Sequence, residues 1–340
     1  MIKNYVTADI EPNFLQIPIR YAQVFDHVFN PNDVSPVAAV KARFENDIRK
    51  GGYTEQDQKI AEFLLTNTFA TQKQLISYFN IPAEYIENFS KRLKYLVKDR
   101  FINSFTLHLN PASVSKFDDE LIIYCLDFGG KYVLENFGDN YVGDWYSTKN
   151  MQSSKLVAKT LMTTQFYIDL QNTIHHNMSD EKASVFLDRY MSNPQYRIHN
   201  DLFTSNAQID LKFSNINEKS LLLDVVYNGE EGADFRTRIK NISELLHTAK
   251  YQQYFDLNNK PPMVILLTAN LKEQLPRIMR TISHATKFTT NEFLLLDSSN
   301  LGKGFLDDKN KFMSVSWTLD DETNEPKCII NQVTFNAFGK

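Results

Sequence analysis

Hydrophobic residues recur at helical spacing along residues 53–98 and predict three helices. The first begins after Thr54, a candidate N-cap. The second begins with Thr71 followed three residues later by Gln74, which is the spacing of a capping box. The third begins near Pro82, a residue suited to the first helical position, and carries a single apolar stripe. These patterns predict a small helical block whose apolar faces share one core.

Two apolar runs, at residues 101–109 and 121–128, follow the third helix and predict a β-hairpin with a polar tip that contains Lys116. Three helices followed by a hairpin are typical of a winged helix-turn-helix. In that architecture the third helix enters the major groove of DNA, while the wing reaches the backbone or the minor groove. We therefore predict a winged-helix DNA-binding domain over residues 51–140, preceded by an N-terminal extension over residues 1–50.

The polar face of the third predicted helix is rich in basic residues. Lysine and arginine side chains release counterions when they neutralise phosphates, and asparagine can read a base edge. Gln72 and Lys73 would anchor the preceding helix on the DNA. The alternatives are a solvated cationic helix and a winged helix that contacts protein. The candidate DNA-binding residues are Gln72, Lys73, Asn88, Lys91, Arg92, Lys94, Lys98 and Lys116.

The C-terminal half alternates between helical spacing and short apolar runs, which predicts an α/β domain over residues 150–340. The expected fold class is α/β, or mixed α+β, with a nuclease-like mixed sheet and helices on its faces. Two last apolar runs, "FMSVSWTL" and "KCIINQVTF", predict a hairpin at the sheet edge. Helices are predicted over 154–174, 179–191, 233–255 and 271–286, and strands over 208–213, 220–227, 262–269 and 292–297.

A family resemblance rests on two groups of segments. The first comprises "YTEQDQKIAEFL", "TQKQLISYF", "RLKYLVKDRFI" and "YCLDFGGKYVL", and the second comprises "LLLDVV", "RIKNISELLHTAKYQQYF" and "PPMVILLT". Over about residues 50–300 they resemble the replication-relaxation family of plasmid and mobile-element proteins. The resemblance implies a winged helix joined to a restriction-endonuclease-like domain. It also implies a DNA-binding role in replication, relaxation or transfer of an extrachromosomal element. Relaxase or replication proteins would then be partners.

A nuclease of the PD-(D/E)-x-K class needs carboxylates that hold Mg²⁺ and a cation near the phosphate. Asp210 and Asp224 lie in apolar runs and are the candidate catalytic and metal-binding acids, with Asp201 as a competitor for the first place. The lysine expected two residues after Asp224 is replaced by Val226. Substitute cations on the next helix are Arg236, Arg238, Lys240 and Lys250, of which Lys240 is the catalytic candidate. The alternative is that both aspartates face solvent or accept hydrogen bonds from the backbone or Arg238.

The composition excludes some classes of protein and leaves others open. Charged residues make up 23% of the chain and no apolar run is long enough for a membrane helix, so we expect a soluble cytoplasmic protein with no membrane partner. The two cysteines lack the CxxC spacing of a zinc site. A net charge of −4 does not exclude DNA binding, because local patches decide it.

The expected function is that of a DNA-binding accessory protein in plasmid or mobile-element replication, relaxation or conjugative transfer. Its partner would be double-stranded DNA, and a homodimer is left open. The C-terminal domain is expected to be non-catalytic and to need no cofactor. Two alternatives remain: a Mg²⁺-dependent nuclease using Asp210 and Asp224, and a winged-helix transcriptional regulator.

Overall fold

The computed structural model describes residues 15–18, 52–108, 121–137, 142–143, 145–150, 152, 154–177, 185–198, 201–213, 218–226, 232–248, 250–255, 261–268, 271–285, 293–302, 312–319 and 326–333. Within these residues it is a mixed α/β structure with seven α-helices. None of these described helices combines the length and the apolar character needed to cross a membrane.

The chain divides into two compact units, which we call the N-terminal unit (residues 10–164) and the C-terminal unit (residues 165–340). The boundary falls inside one long helix, Ser154–Asn177, whereas the pattern of the sequence placed the domain limits at 140 and 150. The first half of this helix belongs to the N-terminal unit because Gln74 Nε2 donates to the Leu161 carbonyl at 2.8 Å, and Thr164 Oγ1 donates to the Phe69 carbonyl at 3.1 Å.

The N-terminal unit combines helices with a four-stranded antiparallel sheet of order β1-β3-β4-β2. Along the chain its elements are β1 (Leu15–Pro18), α1 (Glu55–Asn67), β2 (Ala70–Thr71), α2 (Gln72–Tyr78), α3 (Ile86–Lys98), β3 (Ile102–His108), β4 (Leu121–Leu126), α4 (Phe128–Phe137) and the start of α5 (Ser154–Asn177). The short strand β2 joins the sheet beside β4 and separates α1 from α2.

The three helices predicted from the sequence are confirmed, and the first two begin at the predicted caps. The third was predicted to begin near Pro82, but Pro82 precedes a 3₁₀ turn at Ala83–Tyr85 and α3 begins at Ile86. Thr54 caps α1 and exchanges hydrogen bonds with Asp57, and Thr71 caps α2 in the same way with Gln74. Each capping box satisfies backbone groups that the first helical turn leaves without partners. The apolar stripes of the helices are buried, as illustrated by Ile60, Leu75, Leu93, Leu96 and Val97.

The C-terminal unit is built on a seven-stranded mixed sheet of order β13-β12-β11-β10-β9-β8-β5. Strands β9, β10 and β11 are parallel, and the remaining pairings are antiparallel. The elements are β5 (Val185–Ser192), β6 (Gln195–Ile198), β7 (Asp201–Thr204), β8 (Ala207–Phe213), β9 (Glu218–Val226), α6 (Gly232–His247), β10 (Met263–Thr268), α7 (Leu271–Ala285), β11 (Phe293–Asp297), β12 (Phe312–Leu319) and β13 (Pro326–Val333).

Helices cover this sheet on both faces, as the sequence predicted. Helices α6 and α7 bury one face in a core that includes Leu222, Leu266 and Leu295. On the other face the second half of α5 contacts β5, where the rings of Tyr167 and Tyr190 stack at 4.1 Å. The predicted edge hairpin is also confirmed, because β12 and β13 pair antiparallel at one end of the sheet.

The helix predicted over residues 179–191 is wrong in its described part. Residues 185–192 form β5, which pairs antiparallel with β8 and contains a β-bulge between Leu187 and Arg189. The segment "VFLDRYM" is too short for its spacing to separate a helix from a strand. Its strand form is decided by the backbone hydrogen bonds that β8 offers, which lie outside the segment itself.

Candidate nucleic-acid interface

The outer face of α3 presents polar side chains to solvent. The helix follows a 3₁₀ turn at Ala83–Tyr85, and Phe89, Leu93, Leu96 and Val97 fix its other face in the core. We call the exposed set Glu87, Asn88, Lys91, Lys94, Tyr95 and Lys98 the α3 surface. Four of the predicted DNA-binding residues therefore share one exposed helix face.

Arg92, also predicted to bind DNA, makes internal contacts instead. Its Nε donates to Asp57 Oδ1 at 2.9 Å and its Nη2 donates to the Gly52 carbonyl at 2.9 Å, while a further ion pair joins Nη2 to Asp57 Oδ2. Asp57 is only 1% exposed, so a buried carboxylate depends on this guanidinium. The hydrogen bond with Asp57 raises the pKa of Arg92. The same side chain lies 4.9 Å from the ring centre of Tyr95.

The other residues predicted to contact DNA differ in the internal contacts that their side chains make. Lys91 forms an exposed ion pair with Glu87, with 2.7 Å between Nζ and Oε1. Gln72 Nε2 donates to Ser90 Oγ at 2.7 Å and so ties the first turn of α2 to α3. Lys73 is exposed in the same turn of α2. Lys116 lies outside the described residues.

Arg100, which ends the basic run in the sequence, also faces inward. Its Nε lies 3.5 Å from Asp127 Oδ2, and Asp127 Oδ1 accepts from the Phe128 N–H at 2.8 Å at the start of α4. Burial raises the pKa of Asp127 to about 6, against the opposing effect of Arg100. The two arginines of the basic run, Arg92 and Arg100, are thus paired with buried carboxylates.

In the C-terminal unit, Asp224 is buried and paired with Arg238. Asp224 is 1% exposed on β9, and Arg238 Nε on α6 lies 3.2 Å from Oδ1 and 3.1 Å from Oδ2. A hydrogen bond from Arg238 was one outcome that the sequence left open for Asp224, and it is confirmed. The pair compensates a charge that would be costly to bury alone.

Asp210 is held by a different set of neighbours on β8 and β9. Ser220 Oγ donates to Asp210 Oδ1, and Gln208 Nε2 donates to Oδ2 at 3.2 Å. Gln208 in turn accepts from Tyr196 Oη at 3.0 Å. Burial raises the pKa of Asp210, and the nearby carboxylate of Asp188 adds to that shift. Asp210 therefore belongs to a buried polar network.

Asp210 and Asp224 are not brought together. Asp210 lies opposite Ser220 in the register, and Asp224 is four residues farther along β9. At about 3.3 Å per residue Asp224 lies about 13 Å along β9 from the position opposite Asp210, so the two Cα atoms are at least about 13 Å apart. Metal–oxygen distances of about 2.1 Å do not let two aspartates bridge that gap through one Mg²⁺. Lys240 lies on the exposed side of α6, and Asp201 begins β7 in a separate two-stranded sheet.

A lysine does follow an acid by two residues on β8, although this pattern was expected on β9. Lys212 follows Asp210 on β8, and its Nζ lies 2.7 Å from Asp188 Oδ1 at the β5 bulge. The spacing "IDLK" was the available signal. Asp188 was missed because its segment was assigned to a helix. Among the described residues, no three His, Cys, Asp or Glu side chains converge as a metal site.

Asp169 is a further buried acid that the sequence did not single out. It lies on α5, accepts from the Gly302 N–H at 2.6 Å and from Gln165 Nε2 at 2.9 Å, and is 2% exposed. Burial raises its pKa to about 6, although both hydrogen bonds act in the opposite direction. Its partners indicate a structural role in joining α5 to the turn after β11.

Comparison with known proteins adds no relative to this picture. No family model, no curated protein and no solved structure matches the chain. The resemblance to the replication-relaxation family stays a prediction from the sequence.

Proposed function

We propose that the protein binds duplex DNA through the α3 surface of a winged helix. The proposal is supported by the order α1, β2, α2, α3, β3, β4, in which β2 pairs with β4 and β3 follows the third helix. A winged helix has this order and presents its third helix to the major groove. The observation that carries the proposal is the set of exposed Asn88, Lys94 and Lys98 on the one helix face that the core leaves open.

The expected binding mode is electrostatic attraction with limited base contact. Lys94 and Lys98 would neutralise phosphates, and Asn88 would reach a base edge with its amide. Arg92 would keep α3 in place through Asp57 and would not contact phosphate. Binding by few lysines predicts a moderate dependence on salt, since each phosphate contact contributes about 0.9 to the slope of log K against log salt.

The biological role we propose follows the family resemblance: an accessory protein in replication, relaxation or transfer of a mobile element, with relaxase or replication proteins as partners. The C-terminal unit would be non-catalytic, which is supported by the pairing of Asp224 with Arg238. A transcriptional regulator would use the same α3 surface. Deletion of the gene separates the two roles, because only the first predicts a change in plasmid copy number or transfer.

The test of DNA binding compares two double variants of equal charge. Lys94→Ala/Lys98→Ala removes two lysines from the α3 surface, and Lys59→Ala/Lys131→Ala removes two from α1 and α4. Affinity for a random-sequence duplex is measured between about 50 and 200 mM salt, a range over which the loss of phosphate contacts changes the affinity measurably. We expect about tenfold weaker binding and a slope reduced by about 1.8 for the first variant alone. Equal losses in both variants would contradict the proposal.

A second candidate function is Mg²⁺-dependent phosphodiester cleavage at a site different from that predicted. It is favoured by the spacing of Asp210 and Lys212 on β8 and by Asp188 across the bulge. The carboxylates of Asp188 and Asp210 would hold the ion, and Lys212 would stand near the phosphate.

This candidate is tested by nicking of supercoiled plasmid in MgCl₂. Lys212→Met is compared with Lys240→Met, because Lys240 is the catalytic cation predicted from the sequence. Loss of nicking in Lys212→Met alone would support the site. An inactive wild-type protein would remove this candidate and leave the DNA-binding proposal standing.

A further inference from the structure

The charge along the exposed side of α3 changes sign from one end to the other. Glu84 and Glu87 are exposed at its start, whereas Lys91, Lys94 and Lys98 follow in later turns. Glu87 is tied to Lys91 by the 2.7 Å ion pair, and Asn88 is its immediate neighbour. The N-terminal end of the α3 surface is therefore acidic and its C-terminal end basic.

An acidic residue at this position has two physical consequences for DNA binding. It repels phosphates, which weakens contact with any duplex that offers no compensating hydrogen bond. It also accepts hydrogen bonds, and in the major groove cytosine presents the N4 amino group as a donor. The first residues of a recognition helix are the ones that contact base edges.

We propose that Glu87 is the specificity-determining residue of the α3 surface and selects duplex sites in which a cytosine amino group faces the start of α3. This inference rests on the proposed DNA-binding function and adds the class of site to it. Asn88 contacts the adjacent base pair, where an adenine matches its amide. Lys91 holds the Glu87 carboxylate along the helix face through the ion pair.

The helix that carries Glu87 is held in place by contacts on both sides of α3. Gln72 binds Ser90 from α2 at 2.7 Å, and Arg92 binds Asp57 in α1 at 2.9 Å. These bonds involve residues three and five positions beyond Glu87, so the helix cannot rotate freely about its axis. Base readout requires a contact group held on a rigid element, and this arrangement provides one.

The experiment is selection of duplexes from a random-sequence pool by the full chain. Wild type is compared with Glu87→Gln and with Glu55→Gln, a matched control because Glu55 forms the same kind of exposed pair with Lys59 at 2.6 Å on α1. We expect wild type and the control to enrich one motif with a fixed cytosine. Glu87→Gln should reduce the preference for cytosine at that position about tenfold and leave the preferences at the other positions of the motif unchanged.

A second measurement uses the unselected pool. Glu87→Gln should bind it about threefold more tightly, with a salt slope steeper by about one, because Lys91 is then available to phosphate. Motifs that are identical in wild type and Glu87→Gln would overturn the inference, as would binding by wild type without any enriched motif. Absence of wild-type binding to the pool would instead remove the proposed function itself.

Discussion

The α3 surface and the β8–β9 strand pair both carry charged residues, but the two regions use them differently. On α3 the lysines at positions 91, 94 and 98 are exposed to water, where a partner can reach them. On β8 and β9 the carboxylates of Asp210 and Asp224 are buried and held by Ser220, Gln208 and Arg238. Charge is available for recognition on α3 and is used for internal stability in the strands.

Arg92 shows that an exposed charge and a charge used for internal stability can lie on the same helix. It lies on α3 between exposed lysines, yet its guanidinium serves the buried Asp57. An exposed pair gains little because water screens it, whereas a buried carboxylate must be matched. The location of the partner acid therefore decides the role of each cation.

The largest effect is expected from Arg238→Met. The substitution leaves Asp224 buried and unpaired, so the free energy of unfolding should fall by about 3–5 kcal/mol. Urea denaturation followed by circular dichroism measures the change. Arg236→Met, an exposed neighbour on α6, should stay within about 0.5 kcal/mol of wild type. Similar losses in both variants would show that Arg238 is not the partner on which Asp224 depends.

A smaller loss is expected from Arg92→Gln in the N-terminal unit. Charged hydrogen bonds to Asp57 disappear, and the free energy of unfolding should fall by about 2–3 kcal/mol. If the protein binds DNA as proposed, the affinity should fall with it, while the slope of log K against log salt should stay unchanged because the guanidinium is engaged by Asp57. A slope reduced by about 0.9 would assign Arg92 to the DNA contact after all.

Stability should also depend on pH through Asp169. Its pKa of about 6 in the folded chain exceeds the ordinary value of 3.8, so the folded state binds more protons between these values. The free energy of unfolding should therefore fall as pH rises from about 4 to about 6. Asp169→Asn removes this contribution, and denaturation at pH 4.5 and pH 7 should show a smaller difference than in wild type. An unchanged difference would argue against the buried acid.

The smallest effect is expected from Lys91→Ala. Lys91 and Glu87 are both largely exposed, so loss of their pair should change the free energy of unfolding by less than about 1 kcal/mol. Thermal unfolding of the variant beside Arg92→Gln gives a direct comparison of an exposed and a buried pair on the same helix. A loss as large as that of Arg92→Gln would remove the distinction between exposed and buried ion pairs on α3.

Local patterns were sufficient for the helices of the N-terminal unit. The capping boxes at Thr54 and Thr71 involve residues three positions apart, so their whole geometry is written in a short segment. The segment at β5 lacked such a signal, and its strand form depends on pairing with β8. That error concealed Asp188 and, with it, the contact that Lys212 makes.

The candidate site shows the same division. Residue type and helical spacing placed Asn88, Lys91, Lys94 and Lys98 on one polar face, and the structure exposes all four. Spacing alone could not separate Arg92 from them, because Asp57 is 35 residues away in the chain. It also could not show that Asp210 and Asp224 lie apart, since the register of β8 and β9 sets that distance.

The sequence by itself determined the helical spacing, the starts of α1 and α2 and the polar face of α3, because these depend on neighbours within one or two turns. Only the tertiary structure decided which charges remain exposed. Asp57 and Asp224 are buried by packing between distant segments. Each is paired with an arginine for which the sequence predicted another role: Arg92 was a candidate for DNA binding, and Arg238 was a candidate cation for catalysis. Burial makes an unpaired charge costly, so long-range packing governs the use of each charged residue.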